Sequence, residues 1–290
     1  MKIDVPIVNA FVDDAVGGNP AGIVLNAQRF TKAQKQRIAA SIGLSETAFV
    51  SPSSLADFKL EFFTPVRQIA HCGHATIATF CYLKQIGILP ADHTSKETID
   101  GCREIIMEDF SAFMEQSAPQ FTGLGEQDQL RSLDSIGLQR TDLLPGIEPC
   151  IVNTGNAFLV FPLRNMETVQ SARIRKEQIE EISTLYDLVG YYLFSQQTAI
   201  AGRDAGSRMF APRYGINEEA ATGMAAGPLA CFLHNRLGIS KNTFLIEQGR
   251  LMPEPSPSII HVRLKIDQNV ISGLLAGGNA AVREVRSIEI

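Results

Sequence analysis

The chain carries two copies of one ordered set of short motifs, and this internal repeat restricts its fold more than any other feature. The first half contains Gly18-Asn19-Pro20-Ala21, then Phe63-Thr64-Pro65, then Cys72-Gly73-His74-Ala75-Thr76. The second half contains Gly155-Asn156-Ala157, then Phe210-Ala211-Pro212, then Thr222-Gly223-Met224-Ala225-Ala226. The repeat is far longer than the roughly 20–50 residues of a solenoid unit, so it predicts two related domains. Domains that face each other leave a cleft, where small molecules often bind.

Composition and charge disfavour several classes of protein. A length of 290 residues suits two domains, and a net charge of -5 without a basic patch disfavours nucleic acid and membrane surfaces as partners. The five cysteines are scattered and odd in number, which is typical of free thiols in a reducing compartment. The N-terminus has no apolar signal core, and no stretch approaches the roughly 20 apolar residues of a membrane span. We therefore expect a cytoplasmic protein.

Local patterns predict helices after both repeated glycines. The stretch from His74 to Ile86 is small or apolar on nearly all sides, which predicts a buried helix in the middle of a curled sheet. Its counterpart from Thr222 to Leu237 contains Pro228, which should kink the helix or cost a hydrogen bond. Other patterns predict a helix from a capping box at Thr31 to Gly43, a helix over Lys176–Leu185, and strands at 3–12, 22–25, 46–50, 58–62, two within 98–117, and 157–162, 190–195, 198–201, 259–266 and 281–290.

The two matched helix starts, Gly73-His74 and Thr222-Gly223, are candidate binding positions for an anion. A glycine there leaves the first backbone N–H groups open, and the helix dipole favours negative charge. The alternative is that both glycines only permit close packing of helix on sheet. The repeat of the feature makes a pair of carboxylate sites as plausible as packing alone.

Glu46 is the candidate acid/base. It lies in the mostly apolar segment Leu44-Ser45-Glu46-Thr47-Ala48-Phe49-Val50. A carboxyl group in a site of low dielectric can both take up and release a proton near neutral pH. The alternative is a glutamate on an edge strand that faces solvent, as most glutamates do.

Cys72 precedes a helix start, where the dipole would stabilise a thiolate. A racemase with two thiols would need a second cysteine where Thr222 stands, so a two-thiol mechanism is disfavoured. His71, Cys72 and His74 have no second pair of ligands at metal-binding spacing, and we predict no metal. Motifs for dinucleotides, phosphate loops and serine nucleophiles are missing from the sequence, so we expect no cofactor and a reaction by proton transfer.

The chain resembles the PhzF family, the phenazine biosynthesis isomerase-like proteins, which share the fold of diaminopimelate epimerase. The resemblance covers essentially the whole chain. Its motifs are Gly18-Asn19-Pro20-Ala21, Ser45-Glu46-Thr47-Ala48-Phe49, Phe63-Thr64-Pro65, Cys72-Gly73-His74-Ala75-Thr76, Ser207-Arg208-Met209-Phe210-Ala211-Pro212 and Ala221-Thr222-Gly223. The resemblance implies an α+β fold of two pseudo-symmetric domains, each a curled mixed β-sheet or barrel around a central helix. The first would span 1–120 and be completed by a strand at 278–290, and the second would span 121–277, with the site between them and a homodimer as the assembly.

The resemblance also implies roles for individual residues. The family's glutamate that matches Glu46 is the general acid/base that moves a proton on a small carboxylate. Cys72 matches the first of two catalytic cysteines in epimerases of this fold, and is a possible accessory residue. The residues that match the substrate pocket are Asn19, Gly73, His74, Glu219, Thr222, Gly223 and Met224.

Five positions depart from the family pattern, and one of them is Ala220, which stands where proline is usual. Glu219 stands where aspartate is usual, and Met224 stands where serine or asparagine is usual. Gln68 replaces an acidic residue, and His71 replaces an apolar one. These departures predict a substrate different from that of the phenazine enzyme.

The sequence therefore predicts a cofactor-independent isomerase that acts on a small carboxylic acid with Glu46 as acid/base. Two alternatives stay open. One is an amino-acid epimerase or racemase that uses Glu46 with Cys72. The other is a homologue that binds a small molecule without catalysis.

Overall fold

The chain forms two units, each with its own mixed sheet and its own buried helix. The computed structural model describes residues 2–89 and 91–289, so Met1, Pro90 and Ile290, on which the predicted domain limits and last strand partly fall, lie outside the described residues. The first unit comprises Met1–Glu115 with Gly277–Ile290, and the second comprises Gln116–Ala276.

Strands provide most of the regular structure. In chain order they are β1 (Lys2–Ala10), β2 (Asn19–Val24), β3 (Thr47–Ser51), β4 (Phe58–Phe63), β5 (Gln68–Ile69), β6 (His93–Thr98), β7 (Gly101–Glu108), β8 (Ser111–Ser117), β9 (Gln120–Gly123), β10 (Cys150–Asn153), β11 (Ala157–Pro162), β12 (Gly190–Ser195), β13 (Ala205–Ala211), β14 (Ile216–Glu219), β15 (Thr243–Gln248), β16 (Ser258–Asp267), β17 (Val270–Gly278) and β18 (Ala280–Glu289). The α-helices are α1 (Lys32–Ile42), α2 (Gly73–Gln85), α3 (Glu126–Asp134), α4 (Met166–Ser171), α5 (Lys176–Leu185) and α6 (Gly223–Leu237).

The sheet of the first unit runs in the order β18-β1-β2-β3-β4-β6-β7-β8. The pairs β2–β3 and β4–β6 are parallel, and the other neighbours in this order up to β7–β8 are antiparallel. The short β5 pairs with β4. β18 lies along the whole of β1, from Lys2 opposite Glu289 to Ala10 opposite Ala280. Residues from the far end of the chain therefore complete the first unit.

Helix α1 begins and ends at the residues that its sequence predicts. The Thr31 side chain accepts from the backbone N–H of Gln34, and the Gln34 side chain accepts from the backbone N–H of Thr31, which is the predicted capping box. Gly43 ends the helix in the left-handed conformation, with φ of 71°. The next turn of chain delivers Glu46 to the start of β3.

Helix α2 occupies the interior of the first unit. It packs against β1, β2, β3 and β18, and every residue from Gly73 to Cys81 is buried. A helix without a solvated face is stabilised by packing on all sides, so its small side chains are explained by the space between helix and strands. The start of this helix, at Gly73, therefore lies within the buried interior of the first unit.

The second unit repeats the strand order of the first. β10, β11, β12, β13, β15 and β16 pair in succession, with the parallel pairs β11–β12 and β13–β15 at the positions that β2–β3 and β4–β6 hold in the first unit. The short β14 pairs with β13 as β5 does with β4. Helix α6 corresponds to α2 and packs against β10, β11 and β16. It passes Pro228 without interruption, although the Met224 carbonyl receives no bond from that nitrogen.

One predicted strand is wrong. Residues 198–201 form a turn whose backbone N–H groups at Ala199 and Ile200 donate to the buried Glu247 carboxylate, at 2.8 and 3.0 Å. Because these N–H groups bond to the carboxylate, they do not pair with a neighbouring strand. The next strand, β13, begins at Ala205. Among residues 2–89 and 91–289, none of the helices is long and apolar enough to cross a bilayer.

Candidate active site

Glu46 lies in the core of the first unit, not on a solvated edge. Its side chain follows the Gly43 turn directly before β3, and the residue is 7% exposed. Its backbone carbonyl accepts a hydrogen bond from Gly22 N–H at 3.2 Å, which ties the segment to β2. The alternative of a solvent-facing glutamate is therefore wrong.

The start of α2 brings two more functional groups to the same place. Cys72 is the N-cap residue in extended conformation, Gly73 is the first helical residue, and His74 is the second. The Cys72 carbonyl accepts from both the backbone N–H and the hydroxyl of Thr76, at 3.3 and 2.6 Å. These two bonds fix the geometry of the first turn.

Glu46, His74 and Cys72 form a buried line of three groups. Glu46 Oε2 lies 3.3 Å from His74 Nε2, and His74 Nδ1 lies 3.5 Å from Cys72 Sγ. The imidazole therefore stands between the carboxyl group and the thiol. Glu46 Oε2 is fully buried, and its contact with His74 lacks the alignment of a hydrogen bond. A buried polar atom without an aligned hydrogen bond is uncommon, so this oxygen is a candidate contact for a ligand.

The Cys72 thiol is held in its protonated form. Burial raises the pKa of Cys72, and the nearby Glu46 raises it further, while His74 acts in the opposite direction. The sequence suggested that the helix start would favour a thiolate, but removal from water outweighs the dipole here. At neutral pH the thiol is a poor base.

The same three side chains form a group that could hold a metal ion. The potential ligand atoms of Glu46, Cys72 and His74 lie within 4.8 Å of one another. However, Nδ1 faces Cys72 while Nε2 faces Glu46, and a single ion can bind only one nitrogen of a ring. The short contacts of the His74 ring therefore use both nitrogens, which is not how three side chains surround one ion.

Behind the start of α2 lies a second polar group that the motifs do not include. Lys96 on β6 is fully buried, and its Nζ donates to Thr76 Oγ1 at 2.6 Å and lies 3.3 Å from His71 Nδ1. Burial lowers the pKa of Lys96 to about 7. Burial, together with Lys96 and Arg103, lowers the pKa of His71 to about 3, so its ring is neutral and Nδ1 can accept from the lysine.

In the second unit the corresponding helix start is held by an amide. Gln248, buried at the end of β15, accepts at Oε1 from the backbone N–H of Thr222 at 3.1 Å and from the Tyr192 hydroxyl at 2.9 Å. Its Nε2 donates to the Glu219 carbonyl at 2.7 Å and to Thr222 Oγ1 at 3.2 Å. The Thr222 hydroxyl in turn donates to the Glu219 carboxylate. One buried side chain thus fixes the turn from Glu219 to Thr222.

The remaining candidate binding residues lie at the first positions of a helix or a strand. Gly223 and Met224 are the first and second residues of α6, and Met224 Sδ lies 3.4 Å from Asn156 Nδ2. Asn19 is buried at the first position of β2. The structure brings Glu46, Cys72, Gly73 and His74 together in the first unit. It brings Glu219, Thr222, Gly223 and Met224 together in the second.

Lys96 and Gln248 are the residues that sequence reasoning missed. Both lie in strands that were not predicted, and neither belongs to a repeated motif. Only His71, which contacts Lys96, carried a signal in the sequence, because it departs from the family pattern.

Comparisons with known proteins identify relatives along almost the whole chain. Residues 8–285 match the family described as phenazine biosynthesis-like protein. A Clostridium acetobutylicum protein named as an uncharacterized isomerase is 30% identical over 298 residues, which cover 95% of this chain and 94% of that protein. The trans-2,3-dihydro-3-hydroxyanthranilate isomerase of Pseudomonas chlororaphis is 30% identical over 275 residues, covering 90% and 91%.

The fold has a close counterpart among crystal structures. A phenazine biosynthesis protein of the PhzF family from Bacillus anthracis is 26% identical and superimposes with a TM-score of 0.90 over 100% of both chains. This likeness confirms the predicted fold class.

Proposed function

Since this chain belongs to the PhzF family of phenazine biosynthesis-like proteins, we propose that it is a cofactor-independent isomerase that moves a proton on a small carboxylic acid. Its relatives are named isomerases, which supports the reaction class.

One observation carries the proposal: a buried carboxylate oxygen that makes no aligned hydrogen bond with the described residues. Glu46 Oε2 lies beside His74 Nε2 at 3.3 Å but outside hydrogen-bond alignment. A buried polar atom left in this state costs free energy unless a ligand meets it. A substrate C–H at this oxygen would supply the missing partner.

The proposed mechanism uses Glu46 as both base and acid. In its ionised form the carboxylate takes a proton from one carbon of the substrate, and the resulting carboxylic acid returns it to another carbon. The N–H groups at the start of α2 would bind the substrate carboxylate, and the helix dipole would favour the negative charge that develops. His74, which contacts the carboxyl group, would hold it in position.

In the second unit, we propose that Glu219 and Met224 select the substrate. Glu219 offers a carboxylate that Thr222 orients, and this carboxylate can accept from an amino or hydroxyl group. Met224 offers flexible apolar volume. This combination suits a carboxylic acid with one polar substituent and an apolar body.

A second candidate function rests on Cys72. Its thiol lies 3.5 Å from His74 Nδ1, in the same line as Glu46, so an epimerase that uses Glu46 with Cys72 has both groups at hand. The raised pKa of the thiol and the hydroxyl of Thr222 at the matching position make this the weaker candidate.

The test is solvent deuterium incorporation. The protein is incubated in deuterated water with a panel of hydroxy, amino and aromatic carboxylic acids, and mass spectrometry measures carbon-bound deuterium. An isomerase incorporates deuterium into its substrate and shifts a double bond, whereas an epimerase incorporates it at an inverted stereocentre. Ligands that raise the melting temperature without any exchange would overturn the proposal in favour of a non-catalytic binding protein.

A further inference from the structure

Lys96 is a buried cation whose hydrogen-bonding neighbours are neutral. Its Nζ contacts the Thr76 hydroxyl at 2.6 Å and the neutral His71 ring at 3.3 Å, and it lies 5.4 Å from the centre of the Phe62 ring. Burial of an ammonium group without a carboxylate beside it is unfavourable. A charged lysine at this position therefore lowers the stability of the folded protein.

The second unit shows that the fold does not require a lysine here. The parallel pair β4–β6 places Lys96 opposite Phe58, and the parallel pair β13–β15 places Ile246 opposite Ala205, in each case at the first residue of β4 or β13. Thr76 likewise corresponds to Ala226, since each lies three residues after the first residue of its helix. The same architecture thus uses an apolar pair, Ile246 and Ala226, both fully buried.

The lysine is connected to the helix start by a directed chain of hydrogen bonds. Because an ammonium group only donates, Thr76 Oγ1 must accept from it and use its own hydrogen for the Cys72 carbonyl at 2.6 Å. Cys72 is the N-cap of α2. The charge of Lys96 is therefore anchored to the turn that carries Cys72, Gly73 and His74.

We propose that Lys96 is a positioning residue of the carboxylate site at the start of α2, where it fixes the first turn through Thr76 and adds its positive charge to the helix N-terminus. This inference rests on the proposed function, in which a small carboxylate binds at that turn. The positive charge of Lys96 favours an anionic ligand, such as a carboxylate. An anion at the helix start in turn favours the ammonium form of Lys96, so Lys96 takes up a proton when the ligand binds.

The groups around Lys96 define when it carries charge. Arg103, opposite it on β7, favours the neutral amine, as burial does, while Asp100 and Cys72 favour the ammonium form. His71 remains neutral in the same range because its pKa is about 3. With a pKa of about 7, Lys96 holds its proton at pH 6 and has lost it at pH 9.

The experiment compares wild type with Lys96→Met, which keeps the length and apolar stem of the side chain. For a carboxylate that exchanges deuterium, we expect Lys96→Met to raise KM about tenfold near pH 6 and to leave it unchanged near pH 9, with kcat within about threefold at both. Taking the ratio of variant to wild type removes the pH effects that the two proteins share. Lys32→Met, exposed in the same unit, is the control and should change neither constant.

A second readout needs no substrate. In a pH titration by nuclear magnetic resonance, the amide signals of Gly73, His74 and Ala75 should move with a midpoint near that of Lys96, and this component should vanish in Lys96→Met. Thr76→Ala, which copies Ala226, keeps the lysine but removes the connecting hydroxyl, and should reduce the same component. It also serves if Lys96→Met fails to fold.

The outcomes separate this inference from the proposed function. A KM ratio that is the same at both pH values, or amide titrations unchanged in both variants, would overturn the role of Lys96. If no carboxylate exchanges deuterium, the proposed function fails, and the amide titration alone decides whether Lys96 acts on the first turn.

Discussion

Glu46 Oε2 lies 3.3 Å from His74 Nε2, and the protein buries both side chains at the start of a helix whose residues from Gly73 to Cys81 are all buried. This contact places the proposed acid/base beside the start of α2, where we propose that a carboxylate binds. It is the relationship on which the following two predictions depend.

Glu46→Gln should lose roughly 10²–10⁴-fold in the rate of deuterium exchange, because the amide keeps the shape of the side chain but cannot titrate. The measurement is kcat/KM for the exchanged carboxylate, with the melting temperature as a check on folding. Glu104→Gln, exposed on β7 of the same unit, is the matched control and should behave as wild type. Activity within about threefold of wild type in Glu46→Gln would remove Glu46 from the mechanism.

Cys72→Ala should retain most of the isomerase activity. Burial keeps the Cys72 thiol of the wild type protonated, and the matching position in the second unit holds Thr222 and not a second cysteine. The measurement is the same exchange assay, with Cys102→Ala as the control at an exposed cysteine. A loss as large as that of Glu46→Gln would reverse the order of the two candidate functions and favour the epimerase.

Glu219→Asp combined with Met224→Ser should change which carboxylates bind, without unfolding the protein. The substitution shortens one carboxylate and replaces apolar volume by a hydrogen-bonding group, and a polar site discriminates strongly against ligands that leave it unsatisfied. We also expect the wild-type protein not to turn over trans-2,3-dihydro-3-hydroxyanthranilate. The measurement is a thermal-shift panel of hydroxy, amino and aromatic carboxylates, with exposed Glu254→Asp as the control. The same ranking of ligands in both proteins would show that these positions do not shape the pocket.

Lys96→Met should stabilise the protein most at low pH. The folded-state pKa of Lys96 is about 7 and the ordinary value is 10.5, so between these values the unfolded chain binds the additional proton. Wild-type stability should therefore rise with pH through this window, while below pH 7 the full cost of burying the charge applies. The stability of the variant lacks this dependence on pH. Its free energy of unfolding should therefore exceed that of wild type by on the order of a few kcal/mol at pH 6, and the difference should shrink towards pH 10. Parallel slopes of melting temperature against pH for the two proteins would contradict the buried charge.

Much of the fold could be predicted because local signals and burial agree. The capping box at Thr31 and the left-handed Gly43 define α1, and the predicted bounds of the helix over Lys176–Leu185 and the strands over Ala157–Pro162 and Gly190–Ser195 are confirmed. The motif resemblance predicted the family and its isomerase class, and both are confirmed.

The part of the site built by distant contacts could not be predicted. On β6 the inward positions are Thr94, Lys96 and Thr98, so the alternation that identifies a half-buried strand is hidden by polar side chains. The lysine is buried because α2 lies over it, a contact that no local pattern contains. At residues 198–201, conversely, the apolar run suggested a strand, while Glu247, far along the chain, holds those residues in a turn.

The pairing of β18 with β1 joins the start of the chain to a strand that is made after the second unit. Because the second unit is continuous, residues 116–276 are synthesised before residues 277–289. Until then β1 exposes a free edge beside the apolar side chains of Ile3, Val5 and Ile7. Domains made first generally fold first, but here the half that carries Glu46 and His74 is completed last. The edge of β1 that β18 covers therefore stays unpaired until translation of the second unit has ended, and an unpaired strand edge is a site of aggregation.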